Sequence, residues 1–332
     1  MSNPLSAPSQ ALPPSERLRR LGCKIKPMKL LWSVVRAVIV CGICFIILYP
    51  LIKKISVAIM DEQDLFDATV VYVAKHFTLD NFKVAWKAMN YPRAFGNTLL
   101  LSLVSSLLQL ISCTLVAYGF ARFQFPLKRL WFALVIFTII VPPQTIMLPL
   151  FIEFRYFDIF GIIEAITGQP LNMINSLSPF VLLSATAMGF KNGLYIYMLR
   201  QYFKGFPKEL EEAAYVDGAG RLRTFLRIMV PSAVPMMVTV FLFGFVWQWT
   251  DSFYSGLFLN DFQVMAGALN ALPYNVASLY GDVSGSMSFV SPGYLSMVSN
   301  TGVLLCILPL FIIYLFLQKY FVESIARSGI VG

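Results

Sequence analysis

Charge is what this sequence has least of. Asp, Glu, Lys and Arg make up 13% of its 332 residues, while 58% are hydrophobic; an ordinary soluble domain carries about 25% charged residues. A soluble fold of this size buries only part of its surface. So much apolar material, with a mean hydropathy of +0.70, excludes water as the main solvent. Histidine is scarcer still: His76 is the only one. That excludes histidine-rich metal sites and leaves any Ser/His/Asp constellation a single candidate, better read as a solvated loop residue. The five cysteines are Cys23, in a basic N-terminal tail, and Cys41, Cys44, Cys113 and Cys306, in apolar runs. None falls in a segment expected on the outer side of a membrane, so no structural disulfide is expected. Cys41 and Cys44 have the spacing of a redox or metal pair, but no further ligand is near and both read as packing residues. Also missing is G-x-x-x-x-G-K-[ST], whose amides and lysine would cradle phosphates. Gly189, Lys191 and Gly193 imitate it with the wrong spacing. There is no H-E-x-x-H and no G-x-S-x-G string. The chain therefore reads as a non-enzyme with no catalytic residue, no metal and no cofactor of its own.

What is present is a series of apolar runs. A bilayer core takes about 20 apolar residues per helix, and six runs qualify: 31–52, 94–120, 130–151, 176–199, 232–254 and 293–317. The first is too long for a secretory h-region and is followed by Lys53 and Lys54 rather than small cleavage-site residues. It reads as a retained helix behind a basic cytoplasmic tail, 1–30. The expected architecture is all-α, a polytopic membrane protein with six transmembrane helices making one permease-like domain over 31–332. Six spans put both termini on one side, and the lysines and arginines choose it. Arg17, Arg19, Arg20, Arg122, Lys128, Arg129, Arg200, Lys204 and Lys208 gather on the side of the N-terminus, and the loop 255–292 has no basic residue. Both termini are expected in the cytoplasm. The net charge of +9 is too dispersed among apolar runs for a nucleic-acid surface.

Pro142, Pro143 and Pro149 fall in the third run. They read either as tolerated kinks or as a broken helix lining a pathway. Charges inside the spans are few. Lys191 is placed to snorkel, Arg36 is near a helix end and Asp251 near the outer end of the fifth span. This is little material for the proton relay of an ion-coupled carrier, which with a membrane receptor forms the remote alternative.

The most informative stretch is FPKELEEAAYVDGAGRLRTFLRIMVP, residues 206–231, within a cytoplasmic loop over 200–231. Pro207 suits the first turn of a helix. Glu209, Glu211 and Glu212 favour its positive end, Ala213 and Ala214 permit close approach, and Gly218 suits a left-handed stop. A second helix follows, with Leu222, Phe225, Leu226 and Met229 at helical spacing. Helix physics alone leaves two readings open, a membrane-surface helix and a docking element.

The string Glu212-Ala213-Ala214, Asp217-Gly218-Ala219, Ile228 and Pro231 resembles the EAA loop of ABC importer permeases. Similarity to the carbohydrate-importing branch extends over 77–332. It includes FTLDNF (77–82), GNTLLLS (96–102), AYGFARFQFP (117–126), VPPQTIMLPLF (141–151), LRQYF (199–203) and LQKYFVESI (317–325). The resemblance implies a bacterial cytoplasmic-membrane permease that moves a mono- or oligosaccharide inward by alternating access. A polyol, a glycerol phosphate or a polysaccharide fragment is the alternative cargo. It implies a second, distinct permease, two ATP-binding subunits that hold ATP and magnesium, and an extracytoplasmic solute-binding protein. It makes 206–231 a coupling helix docked on an ATP-binding subunit. Glu212 would be the charged contact, Ala213 and Ala214 the close approach and Gly218 the turn, with Asp217, Arg221, Ile228 and Pro231 completing the motif. Where the family often has W-N-D, this chain has Trp249-Thr250-Asp251. Trp247, Gln248, Trp249, Asp251 and Tyr254 are the candidate solute contacts, since aromatic faces beside polar groups suit sugar; the alternative is an ordinary interfacial aromatic belt.

Overall fold

The computed structural model describes residues 27–67, 69–70, 73–284 and 290–329. Cys23 and nearly all of the expected tail 1–30 lie outside the described residues. Among those described the chain is all-α, with no strand and two isolated β-bridges, Met60 with Phe77 and Phe157 with Leu171. It divides into two compact units, 1–54 and 55–332. Most of α1 (Pro27–Ala58) makes up the described part of the first. It exposes Trp32, Val38, Phe45 and Ile46, and such an all-round apolar helix suits a lipid solvent.

The second unit is organised by α3 (Tyr91–Arg122), which follows the short amphipathic α2 (Asp80–Ala88). One face of α3 is small and polar: Thr98, Ser102, Ser105, Ser106, Gln109 and Ser112 recur at helical spacing and are buried. Small residues let helices approach closely in lipid, and hydroxyls find partners across the contact. Ser112 Oγ donates to Ser184 O at 2.6 Å. A Cβ added at Gly244 would stand 3.1 Å from Gln109 Oε1. That close approach belongs to α11 (Val234–Thr250), which packs most extensively on α3 together with α8 (Asn192–Gly205).

Two expected spans are broken. The run 130–151 forms α4 (Lys128–Ile140), a 3-10 turn (Pro143–Ile146) and α5 (Met147–Arg155), bent by 101°. Of the two readings of its prolines, the broken helix is the one seen. A short α6 (Ile162–Thr167) follows. The run 176–199 forms α7 (Ser178–Ala185) and then α8, separated where Ala187 and Lys191 take φ of 57° and 65°. These left-handed residues stop the helical pattern. Among the described residues, three helices are long and apolar enough to cross a membrane alone, and five spans result if the bent pairs over 128–155 and 221–250 each count as one.

The loop expected over 255–292 also differs. It holds the end of α12 (Phe253–Phe258) and all of α13 (Met265–Ser284), ahead of α14 (Pro292–Gly329). Met265, Ala268, Leu272 and Val276 share one face of α13 and are essentially inaccessible. The helical period was present, but Gly, Asn and Pro residues between them lower the local hydropathy below that of a span. Leu272 meets α14 at Gly302, where a Cβ would stand 2.5 Å from Leu272 Cδ2.

Ahead of α2, the segment between residues 59 and 78 folds around one carboxylate. Asp64, buried, accepts from the amides of His76 and Lys75, both at 2.9 Å, and lies 2.8 Å from His76 Nδ1. These contacts, the His76 amide foremost, hold its carboxyl below the usual carboxylate range. His76 is a loop residue with its side chain 63% exposed, as expected, but it serves this carboxylate as well. The described cysteines are all free thiols.

Candidate functional site

Two constellations stand out, and α8 touches both. After its C-terminus at Gly205 the chain turns into α9 (Glu209–Val216), whose first turn carries Glu209, Glu211 and Glu212. Its end is closed by two hydrogen bonds: Ala219 N donates to Ala214 O at 2.9 Å and Gly218 N to Tyr215 O at 3.1 Å. With Gly218 at φ 81°, this is a Schellman closure, a conformation glycine adopts without strain. The turn leads into α10 (Arg221–Ser232), which bends by 74° into α11.

Glu212, Ala213, Asp217, Gly218, Arg221 and Pro231 are exposed, Ala214 is buried against the protein and Ile228 is half-buried. The residue that anchors the loop is the neighbour, Glu211. It is 7% exposed, and its Oε1 lies 2.6 Å from Nε of Arg122 at the end of α3. Arg122 Nη2 also donates to Phe206 O at 3.0 Å. Glu211 and Glu212 are adjacent on a helix, so they point about 100° apart: one is spent on the fold and the other left outside. The sequence reading grouped them by charge and missed this division.

The inner face of α10 also differs from the periodic expectation. Thr224, Phe225 and Met229 are buried, while Leu222 (69%) and Leu226 (55%) are exposed. A π turn over Phe225–Met229 interrupts the 3.6-residue period on which that expectation rests. Phe225 stacks near Tyr118 of α3, with ring centroids 4.6 Å apart. Leu222, Leu226 and Val216 (87%) thus leave the loop with exposed apolar side chains as well as the exposed Glu212.

The second constellation is a cavity of about 640 Å³ at the two helix breaks. The start of α8 meets α4 closely: a Cβ on Gly193 would stand 2.4 Å from Thr138 Oγ1 and 2.8 Å from Val135 O. Trp247, Gln248, Asp251 and Tyr254 line the cavity. Trp249 does not. Two residues further round α11, it is buried on the other face, donating from Nε1 to Cys306 O at 3.1 Å and stacking 5.6 Å from Phe245. The W-T-D triplet is therefore split between core and cavity. The sequence reading missed Gln109, Ser184 and Asn192, which also line the space. Their signal was a polar residue inside an apolar run. Lys191, expected to snorkel, lies at the break with its ammonium 4.8 Å from the Trp247 ring centroid.

The family model for the binding-protein-dependent transport system inner membrane component matches residues 93–327. The melibiose/raffinose/stachyose import permease protein MelC of Bacillus subtilis is 29% identical over 257 residues, 76% of this chain and 80% of its own length. The arabinooligosaccharides transport system permease protein AraQ of Halalkalibacterium halodurans is 25% identical over 293 residues, 87% of this chain and 93% of its own. The osmoprotective compounds uptake permease protein GgtD of Synechocystis is 29% identical over 257 residues, 76% and 75%. A solved bacterial ABC transporter involved in the import of the acidic polysaccharide alginate shares the fold, with a TM-score of 0.68, 19% identity, and 89% of this chain and 98% of that one covered.

Proposed function

This chain belongs to the family of binding-protein-dependent transport system inner membrane components, and from that premise we propose that it is the permease subunit of an ABC-type importer that brings a mono- or oligosaccharide into the cell. The names of MelC and AraQ support the carbohydrate cargo. That of GgtD, a permease for osmoprotective compounds, leaves room for a second reading, in which the same importer class carries a polyol, a glycerol phosphate or a polysaccharide fragment. The chain carries no ATP site of its own. It works with a second, distinct permease, two ATP-binding subunits that hold ATP and magnesium, and an extracytoplasmic binding protein. It lies in the bacterial cytoplasmic membrane with both termini inside, its domain beginning near residue 31.

The observation that carries the reading is the α9–α10 loop. It is closed by its own hydrogen bonds and anchored by the Arg122–Glu211 pair, and it exposes Glu212 together with Leu222, Leu226 and Val216. A partly apolar knob closed by its own hydrogen bonds, with Glu212 among its exposed carboxylates, suits a cleft on a partner protein. When ATP drives the partner subunits together, the knob moves with them, and α10 and α8 carry that displacement toward α11 and the cavity. The broken helices at the cavity expose polar groups where a solute crosses.

The test is ATP hydrolysis by the complete importer with its binding protein, over a sugar panel, with Glu212→Ala beside the wild type. Sugar-stimulated hydrolysis that Glu212→Ala uncouples supports the reading. Unchanged transport and unchanged complex stability in Glu212→Ala would remove the coupling assignment. A cysteine in place of Asp282 labels from outside the cell if the orientation is right, and only from the cytoplasm if it is wrong.

A further inference from the structure

Charge in the cavity is distributed in a way that its shape does not require. Two charged side chains line it, Lys191 and Asp251. Asp251 is occupied: its oxygens accept from the amides of Phe253 (3.2 Å), Tyr254 (3.1 Å) and Ser255 (2.7 Å), capping α12. Lys191 enters no ion pair among the described residues. Its ammonium lies over two rings instead, 4.8 Å from the centroid of Trp247 and 5.0 Å from that of Phe190.

The position is electrostatically unfavourable for a cation. Lys191 is the N-cap of α8, a helix of 14 residues, whose N-terminus carries about half a positive charge. The residue also takes a left-handed φ of 65°, where lysine has no local advantage over asparagine or glycine. Beside it Asn192 lines the same cavity, 2% exposed, with neither Nδ2 nor Oδ1 hydrogen-bonded. Gln248 Nε2, also at the cavity, is buried and unpartnered. Buried amide groups without partners are costly and uncommon. A cation, a positive helix end and two residues with unpartnered amide donors gathered around one space suit one kind of group, an anion that accepts hydrogen bonds.

We propose that Lys191, with Asn192 and Gln248, forms an anion subsite in the solute cavity, and that the transported saccharide carries a carboxylate or a phosphate. This rests on reading the cavity as the solute path. Lys191 supplies charge, Asn192 and Gln248 supply directed donors, and the faces of Trp247 and Tyr254 meet the sugar ring. Lys191 is itself exposed, so a neutral sugar gains nothing from its charge, whereas an anionic one gains an ion pair.

The experiment uses the complete importer with its binding protein in proteoliposomes, with three probes: a neutral trisaccharide, a triuronide of equal length and a hexose phosphate. The expected result is uptake of the triuronide or the hexose phosphate and not of the neutral trisaccharide; the one that moves identifies the anion. Lys191→Asn, which suits the left-handed backbone, then lowers that uptake about tenfold or more, the loss expected for one charge-assisted hydrogen bond, and Lys191→Arg retains most of it. Neutral trisaccharide uptake equal to that of the anionic probes, or anionic uptake unchanged in Lys191→Asn, overturns the subsite while leaving the carbohydrate importer standing. If none of the three moves through a complex whose ATP hydrolysis responds to its binding protein, the carbohydrate reading and the subsite both fall. Should Lys191→Asn not assemble, the wild-type panel decides alone, and preference for the neutral sugar overturns the proposal.

Discussion

The loop at one end of α8 and the cavity at the other are built on opposite plans. In the loop, the buried Glu211 carboxylate has an ion-pair partner in Arg122, and Glu212 is left in the open. In the cavity, buried polar atoms of Asn192 and Gln248 have none. Burial without a partner costs far more than exposure. The first region is thus complete by itself and offers a finished surface, while the second is completed only by what enters it. A docking surface must hold its shape before its partner arrives; a path must not be satisfied by its own walls.

The largest effect expected from that contrast is at the anchor. Arg122→Ala leaves Glu211 buried and uncompensated, which costs about 3–5 kcal/mol. Thermal unfolding of the purified protein should show it as a clear loss. A double replacement, Arg122→Met with Glu211→Leu, should recover much of the stability, because matched apolar residues replace buried pairs well. If the single replacement is silent, the loop is not held as described. Gly193→Leu comes next. The side chain has no room against Thr138 and Val135, and overpacking of this kind costs about 1–3 kcal/mol. The change should depress solute uptake more than it depresses the amount of folded protein, since it wedges the two breaks apart. Glu212→Ala reverses the pattern: stability should move by no more than about 0.5 kcal/mol, while coupling to ATP hydrolysis falls. A measured destabilisation well beyond that would mean Glu212 is structural after all.

The smallest effect is expected at Asp64. A lowered native pKa means the folded form is favoured while the carboxylate stays ionised. Its contribution is full above the unfolded value of about 3.9 and is lost as pH falls through the depressed native value. Hydrogen exchange of the Lys75 and His76 amides should therefore accelerate on acidification below about pH 4. In Asp64→Ala those amides should exchange quickly at neutral pH as well. Protection that persists in the variant would show that the carboxylate does not hold this segment.

How much of this was legible beforehand follows from which physics each feature uses. The all-α membrane class was written in composition and run length, because lipid selects long apolar helices. The α9–α10 loop was legible in the glutamates and Gly218, which act within a few residues of themselves; Pro207, expected in the first turn, stands just ahead of the N-cap Lys208 instead. The division of labour between Glu211 and Glu212 was not, since it depends on Arg122, far away in sequence. The outward turn of Leu222 and Leu226 escaped an inference that rests on an unbroken period, which a π turn interrupts here. The same limit applied to α13, which hid in a low-hydropathy stretch. Lys191 and Gly193 were noticed as a failed phosphate loop, and their place at a helix break appeared only once α4 and α8 were brought together.

Fourteen residues of unbroken helix make α8 about 21 Å long. Its first residue follows Lys191 at the cavity, and its last leads within four residues to the first of α9. Tyr195, Ile196, Leu199 and Phe203 are locked into the core between the two. A stiff rod clamped along its middle transmits tilt rather than stretch, so a nudge at one tip reappears at the other with its sign reversed. If the loop docks and Lys191 meets the solute as proposed, the two would be geared to each other by leverage alone, with no relay of side chains required.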